Sequence, residues 1–98
     1  MNKDKVLNLL GLCKKAKLLV SGEMFSLEKI KSKQAKLVFL ASDAGVNTRK
    51  TVTDKCAFYE VKVITDFSSD EISRSIGKNN RMVVTVLDRG FAERMQML

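Results

Sequence analysis

Short runs of consecutive apolar residues alternate with longer segments of helical periodicity, and this alternation constrains the fold more than any other feature of the chain. Lys36-Leu37-Val38-Phe39-Leu40-Ala41 is apolar almost throughout and bounded by polar residues, the pattern of a strand covered on both faces. Leu18-Leu19-Val20, Val61 to Thr65, and Met82 to Leu87 read as three more strands. Helical spacing fills the intervals. Val6, Leu7, Leu9, Leu10 and Cys13 share a stripe from Lys3 to Lys15, and Met24, Phe25, Leu27 and Ile30 continue the pattern from Gly22 to about Ser32. A third helix, capped by Asn47 or Thr48, reaches about Tyr59 with Val52, Cys56 and Tyr59 inward. Ser68 or Ser69 caps a fourth, which Gly77 closes, and Asp88 caps a last one carrying Phe91, Met95 and Leu98.

Helices alternating with buried strands predict an α/β fold. Its architecture is a three-layer α/β/α sandwich around a central four-stranded mixed sheet. Ninety-eight residues suit one domain over 1–98, and no linker or low-complexity stretch interrupts them. The five Met and five Phe fall at core-like spacings, so packing is their expected role. With Tyr59 and the phenylalanines inward, no aromatic ladder is available for stacking bases.

Composition removes whole classes of chemistry. The chain has no His, which excludes imidazole metal sites and Ser-His or Cys-His dyads. Cys13 and Cys56 are too far apart for a C-x-x-C motif and read as small buried hydrophobes in a reducing cytosol. The glycines are scattered, with neither G-x-G-x-x-G nor a P-loop among them. Asp43, at the carboxyl end of a buried strand, occupies a position where α/β enzymes place acids, but it suits a cap for the next helix better. An enzyme using Asp43, Lys36 or Cys13 is disfavoured because no base and nucleophile are juxtaposed. The expectations are no catalysis, no cofactor and no metal. The amino-terminal segment lacks the form of a signal peptide and no run is long enough to span a bilayer, so the expected location is the cytoplasm, without a membrane partner.

Charge is concentrated. Residues 1–36 carry nine lysines against Asp4, Glu23 and Glu28, whereas residues 37–98 are nearly balanced. A polyanion is drawn to whichever face those lysines share. Two segments have the character of binding surfaces. One joins Lys14, Lys15 and Lys17 to the Val20-Ser21-Gly22-Glu23 turn, where open helix amides beside lysines suit phosphate. The other is Gly77-Lys78-Asn79-Asn80-Arg81-Met82, in which Asn, Arg and backbone amides can reach base edges and Met82 can cover an exposed base. Helix-dipole complementation for the lysines and a plain turn for the asparagines explain the same residues structurally. Helix-turn-helix, zipper and zinc-finger patterns are absent, which favours a folded RNA read by shape and backbone.

The segment Leu10 to Gly22 resembles the ribosomal protein L-seven-Ae / L-thirty-e family, most of all its bacterial YlxQ-type branch. Gln34-Ala35-Lys36-Leu37-Val38, Ala41-Ser42-Asp43-Ala44, Ser75-Ile76-Gly77-Lys78 and Asp88-Arg89-Gly90-Phe91-Ala92 carry the same resemblance over almost the whole chain. It implies an α/β/α sandwich that binds RNA, with many relatives recognising kink-turns, duplexes bent sharply at a short bulge beside tandem sheared G·A pairs. In that family Gly-x-Asn-Glu-x-x-Lys at the second helix reads the guanines and offsets backbone charge. The matching positions here are Met24, Phe25 and Glu28, none of which keeps the family residue. A carboxylate at Glu28 is unfavourable near phosphate unless Lys29 supplies the positive charge instead, and Glu23, one position before the family Asn, is a candidate to accept a hydrogen bond from a guanine. The resemblance sets Lys78 to Met82 over the bulged nucleotides.

The expected RNA-binding residues are therefore Lys14, Lys15, Lys17, Gly22, Glu23, Met24, Phe25, Lys29, Lys78, Asn80, Arg81 and Met82. The expected partner is a structured RNA, kink-turn or ribosomal, with a link to the ribosome or translation and a monomeric protein. The competing expectation is a protein-interaction module that presents an apolar patch at Met24 and Phe25, and solvent exposure of both side chains is its signature.

Overall fold

Asn2 opens the first helix by accepting a hydrogen bond from the Lys5 amide at 3.2 Å, and α1 runs over Lys3–Lys15. The computed structural model describes residues 1–98. It continues through β1 (Leu19–Ser21), α2 (Glu23–Lys31), β2 (Leu37–Leu40) and α3 (Val46–Phe58). Then follow β3 (Val63–Ile64), α4 (Ser69–Ser75), β4 (Val83–Val86) and α5 (Arg89–Met97). This is the predicted alternation, element for element. No helix is long and apolar enough to cross a membrane.

The sheet order is β1-β4-β2-β3. β4 runs antiparallel to both neighbours, while β2 and β3 are parallel, so the sheet is mixed as expected. Val86 faces Leu19 on one side and Leu37 on the other, and Val84 faces Ser21 and Phe39. α2 and α3 pack together over one face, with α1 against α4 and α5 over the other. Covered twice, every residue of β2 and β4 is buried, which explains the apolar run of β2 and the largely apolar β4, where Thr85 is the one polar residue. Phe39 meets Phe67 at a centroid distance of 5.8 Å in the core. Each fully buried side chain of this kind contributes about 1.5–3 kcal/mol relative to exposure.

Four helices stop the same way. After α1, α2, α3 and α4 the chain enters a left-handed residue: Lys17 (φ 62°), Lys33 (φ 65°), Glu60 (φ 57°) and Gly77 (φ 70°). The two amides that follow each cap bond back into the last turn, for example Gly77 N to Arg74 O at 3.2 Å and Lys78 N to Ser73 O at 2.9 Å. These are Schellman closures, and only one uses the glycine such a site favours.

Several boundaries and orientations differ from expectation. Gly45 caps α3, and Asn47 and Thr48 lie in its first turn. Gly77 sits one residue beyond the Ile76 cap of α4, and β3 is two residues long. The aromatics are not all inward: Phe25 is 60% exposed and Phe58 77%, while Tyr59 is half-buried. In α3 the buried stripe is Val52 and Cys56, and a residue two positions after Cys56 projects to the opposite side. Phe58 packs instead edge-on against Tyr59 at 4.9 Å.

Candidate functional site

Antiparallel pairing of β1 with β4 draws the turn before α2 against the loop before β4. The Gly22 amide donates to Val83 O at 2.8 Å, and the Ala41 amide donates to Met82 O at 2.8 Å. Gly22 adopts φ 99° and ψ 153°, a region in which an L side chain is strained. A methyl group built on it would lie 3.8 Å from Arg81 Nη1, an ordinary contact, so the backbone turn is what calls for glycine here, and the guanidinium lies directly beside it.

Arg81 is fixed by its backbone and unpaired at its head. Its amide donates to Ser73 Oγ at 2.9 Å, yet its Nε is buried without a hydrogen-bond partner and none of the three ion pairs includes it. Beside it α2 begins with no side-chain cap, so the first-turn amides are open. A guanidinium next to a helix amino end presents converging N–H donors, the geometry that accepts a phosphate oxygen or another anion.

The first turn of α2 is turned outward in an unusual sense. Ser26 is fully buried and its hydroxyl has no partner, whereas Met24 is 78% exposed and Phe25 60%. Burying an unsatisfied hydroxyl costs about 1–3 kcal/mol. The helix is thus oriented to present two large apolar side chains beside Arg81 instead of burying them. Glu23 is half-buried, and its carboxylate accepts from Thr48 Oγ1 at 2.7 Å, tying the start of α2 to the start of α3.

The structure brings Gly22, Glu23, Met24, Phe25, Arg81 and Met82 to one end of the sheet. Met82 is half-buried against the core, and Asn80 takes a left-handed conformation (φ 53°) that Asn tolerates. Lys78 and Asn80 line a polar cleft with Asp70 and Arg74 on the outer side of the same loop. Lys14 and Lys15 flank a cleft of about 660 Å³ between α1 and α4, next to Gly77 where that loop begins. Four expected residues lie elsewhere, since Lys14 and Lys15 end α1 beside Lys17, whose amide donates to Lys14 O at 3.0 Å. Leu18 accepts from the Leu87 amide, so Lys17 stands at the opposite end of β1, roughly 15 Å of extended chain from Gly22. Lys29 is about 9 Å along α2 from Glu23 and donates to Gln34 Oε1 at 3.3 Å.

Asp43 caps a helix, but α4 and not the adjacent α3. Its oxygens accept from Ser69 N at 2.7 Å and Ser69 Oγ at 2.6 Å, which holds its carboxyl below the usual range. Sequence spacing could not pair Asp43 with Ser69, since the contact depends on β2 and β3 being neighbours. Cys13 and Cys56 are free and buried, with thiols pushed up to about 11: by burial in both, and in Cys13 additionally by the charge of Asp88.

The Ribosomal protein L7Ae/L30e/S12e/Gadd45 family profile matches residues 4–96. An RNA-binding protein YlxQ of Enterococcus faecium is 42% identical over 97 residues, covering 99% of this chain and 93% of the relative. Its namesake in Bacillus subtilis (strain 168) is 47% identical over 87 residues, covering 89% and 87%. Among solved structures, a protein with unknown function from Bacillus halodurans superimposes with TM-score 0.90 at 38% identity, covering 95% of this chain and 94% of that one. The Giardia lamblia 15.5kD RNA binding protein does so with TM-score 0.85 at 17% identity, covering 97% and 85%, and is similar in fold.

Proposed function

This chain belongs to the Ribosomal protein L7Ae/L30e/S12e/Gadd45 family, and from that premise we propose that it is a non-catalytic RNA-binding protein for a kinked, structured RNA. The observation that carries the reading is Arg81: a guanidinium with an unpaired buried Nε, seated against Gly22 at the uncapped start of α2. A phosphate bound there accepts from the guanidinium Nη groups and the open amides together. Met24 and Phe25 then offer apolar and aromatic surface to unpaired bases, where family relatives with Asn and Glu read guanine edges. A stacked base is sequence-tolerant and contributes about 1–3 kcal/mol. The loop from Lys78 to Met82 lies over the bulge, and Lys14 and Lys15 neutralise backbone beyond it. The RNA is a kink-turn or ribosomal RNA, and the setting is cytoplasmic translation.

The test is an anisotropy titration of a fluorescent kink-turn hairpin across a range of salt. With about five phosphates neutralised, the logarithm of affinity falls against log salt with a slope of roughly −4. Arg81→Ala weakens binding at least about tenfold, or 1.4 kcal/mol, and Arg81→Lys restores only part of it. A slope near zero, or an Arg81→Ala variant that binds like the wild type, overturns the proposal.

A second reading follows from the exposure of Met24 and Phe25, which also fits a patch that binds protein. The double variant Met24→Ser/Phe25→Ser separates the two. Loss of RNA affinity assigns the patch to RNA, whereas intact RNA affinity assigns it to a protein contact.

A further inference from the structure

The lysine excess of the first third of the chain collects mainly at the end of the sheet away from Arg81, because α1, α2 and α3 all terminate there. Lys17 follows α1 beside Leu87, Lys33 follows α2, and the Lys36 amide donates to Val86 O at 2.8 Å. Lys62 abuts the start of β2 through the bond from Val38 N to Lys62 O at 3.0 Å. Lys33, Lys36 and Arg89 line one cleft of about 360 Å³ with Tyr59, Glu60 and Glu93, and exposed Phe58 stands against the Tyr59 ring. The four lysines are exposed and belong to none of the ion pairs.

Helix-dipole compensation accounts for lysines in a last turn, such as Lys14 and Lys15, but not for this set. Lys36 and Lys62 precede strands. Arg89 is the first residue of α5, where a cation opposes the positive end of the helix. Lys17 and Lys33 hold left-handed conformations for which glycine is the comfortable residue. Nearby acids leave an excess: Asp88 caps α5 by accepting from Phe91 N, and Glu93 pairs with Arg89 at 3.6 Å, so Glu60 is the remaining acid of the cleft. Separate cations around an exposed aromatic, with no apolar groove, fit a phosphodiester backbone better than a folded protein surface.

We propose that this pole is a second RNA-binding surface, centred on the unpaired Lys33, Lys36 and Lys62 with Phe58 as a stacking face, and that the protein bridges two RNA segments. It goes beyond the Arg81 site and does not depend on it. The experiment saturates the full chain with a fluorescein-labelled kink-turn hairpin at low salt and adds a Cy5-labelled blunt RNA duplex, reading capture by energy transfer. Wild-type protein captures the duplex. The variant Lys33→Gln/Lys36→Gln/Lys62→Gln, with its fold checked by circular dichroism, keeps hairpin affinity within about threefold and loses duplex capture at least tenfold. Absence of capture by the wild type, or undiminished capture by the triple variant, overturns the proposal. So does displacement of the duplex by polyglutamate at equal charge concentration, which would assign the pole to an acidic protein. Failure of Arg81→Ala to weaken the hairpin refutes the first site alone, because duplex capture is scored on the triple variant.

Discussion

Asp43 shows how a single side chain can look catalytic and be structural. At the carboxyl end of a buried strand it binds Ser69 through both oxygens, and Ser69 is the first residue of α4. One position earlier Ser68 completes a capping box with Glu71, whose carboxyl is held low chiefly by the Ser68 amide and also by Lys3. Both carboxyls are depressed in the folded state. Their stabilisation is therefore fully present above the unfolded carboxylate range, about pH 4, and is lost as pH falls through the folded values. Thermal unfolding followed from pH 7 to pH 3 shows the melting temperature dropping below about pH 4 in the wild type. In Asp43→Asn the melting temperature starts lower at pH 7 and falls less over that interval. Parallel curves for the two proteins would mean that the cap does not act through its charge.

Among elements, the helix ends carry the most strain. A non-glycine residue in the left-handed region costs roughly 1–2 kcal/mol, and three of the four Schellman closures accept that cost. Lys33→Gly removes the strain but gives the unfolded chain extra freedom worth about 0.4–1 kcal/mol, so it gains about 0.5 kcal/mol in urea unfolding. Lys33→Ala loses the charge, keeps the strain and gains nothing. Glycine is the expected signal at such a site, which is why Gly77 was legible in the sequence as a helix end and the closures at Lys17, Lys33 and Glu60 were not. The same limit applies to α2. Hydrophobic spacing found the helix and the covered strands correctly, but a stripe rule places Met24 and Phe25 inside and gives no reason to bury Ser26. Which side of that helix faces the sheet is decided by its tertiary neighbours. The candidate site was legible as two segments, Gly22 onward and Lys78 to Met82. Their junction at Arg81 depends on β1 pairing with β4, and the distance of Lys17 and Lys29 from it depends on strand and helix direction.

Across the molecule the extents are 28 × 25 × 23 Å, so the Arg81 corner and the lysine pole face away from each other over a nearly isotropic body. Its rigidity is graded. β2 and β4 are wholly buried and mutually paired, whereas β3 is a two-residue edge and residues 77–80 are exposed. Amide hydrogen exchange is accordingly slowest at Phe39 and Val84 and fastest in the loop at Asn79 and Asn80. Bound RNA slows exchange at the start of α2 more than in the core. The sheet order also sets a sequence of events at the ribosome. β4 lies between β1 and β2 but is translated after every other strand, so the two earlier strands emerge without their common neighbour. Arg81 reaches Gly22 only once that missing strand slots in. A nascent chain therefore cannot grip its nucleic acid piecemeal, and competence arrives in one step, when β4 has emerged and docked.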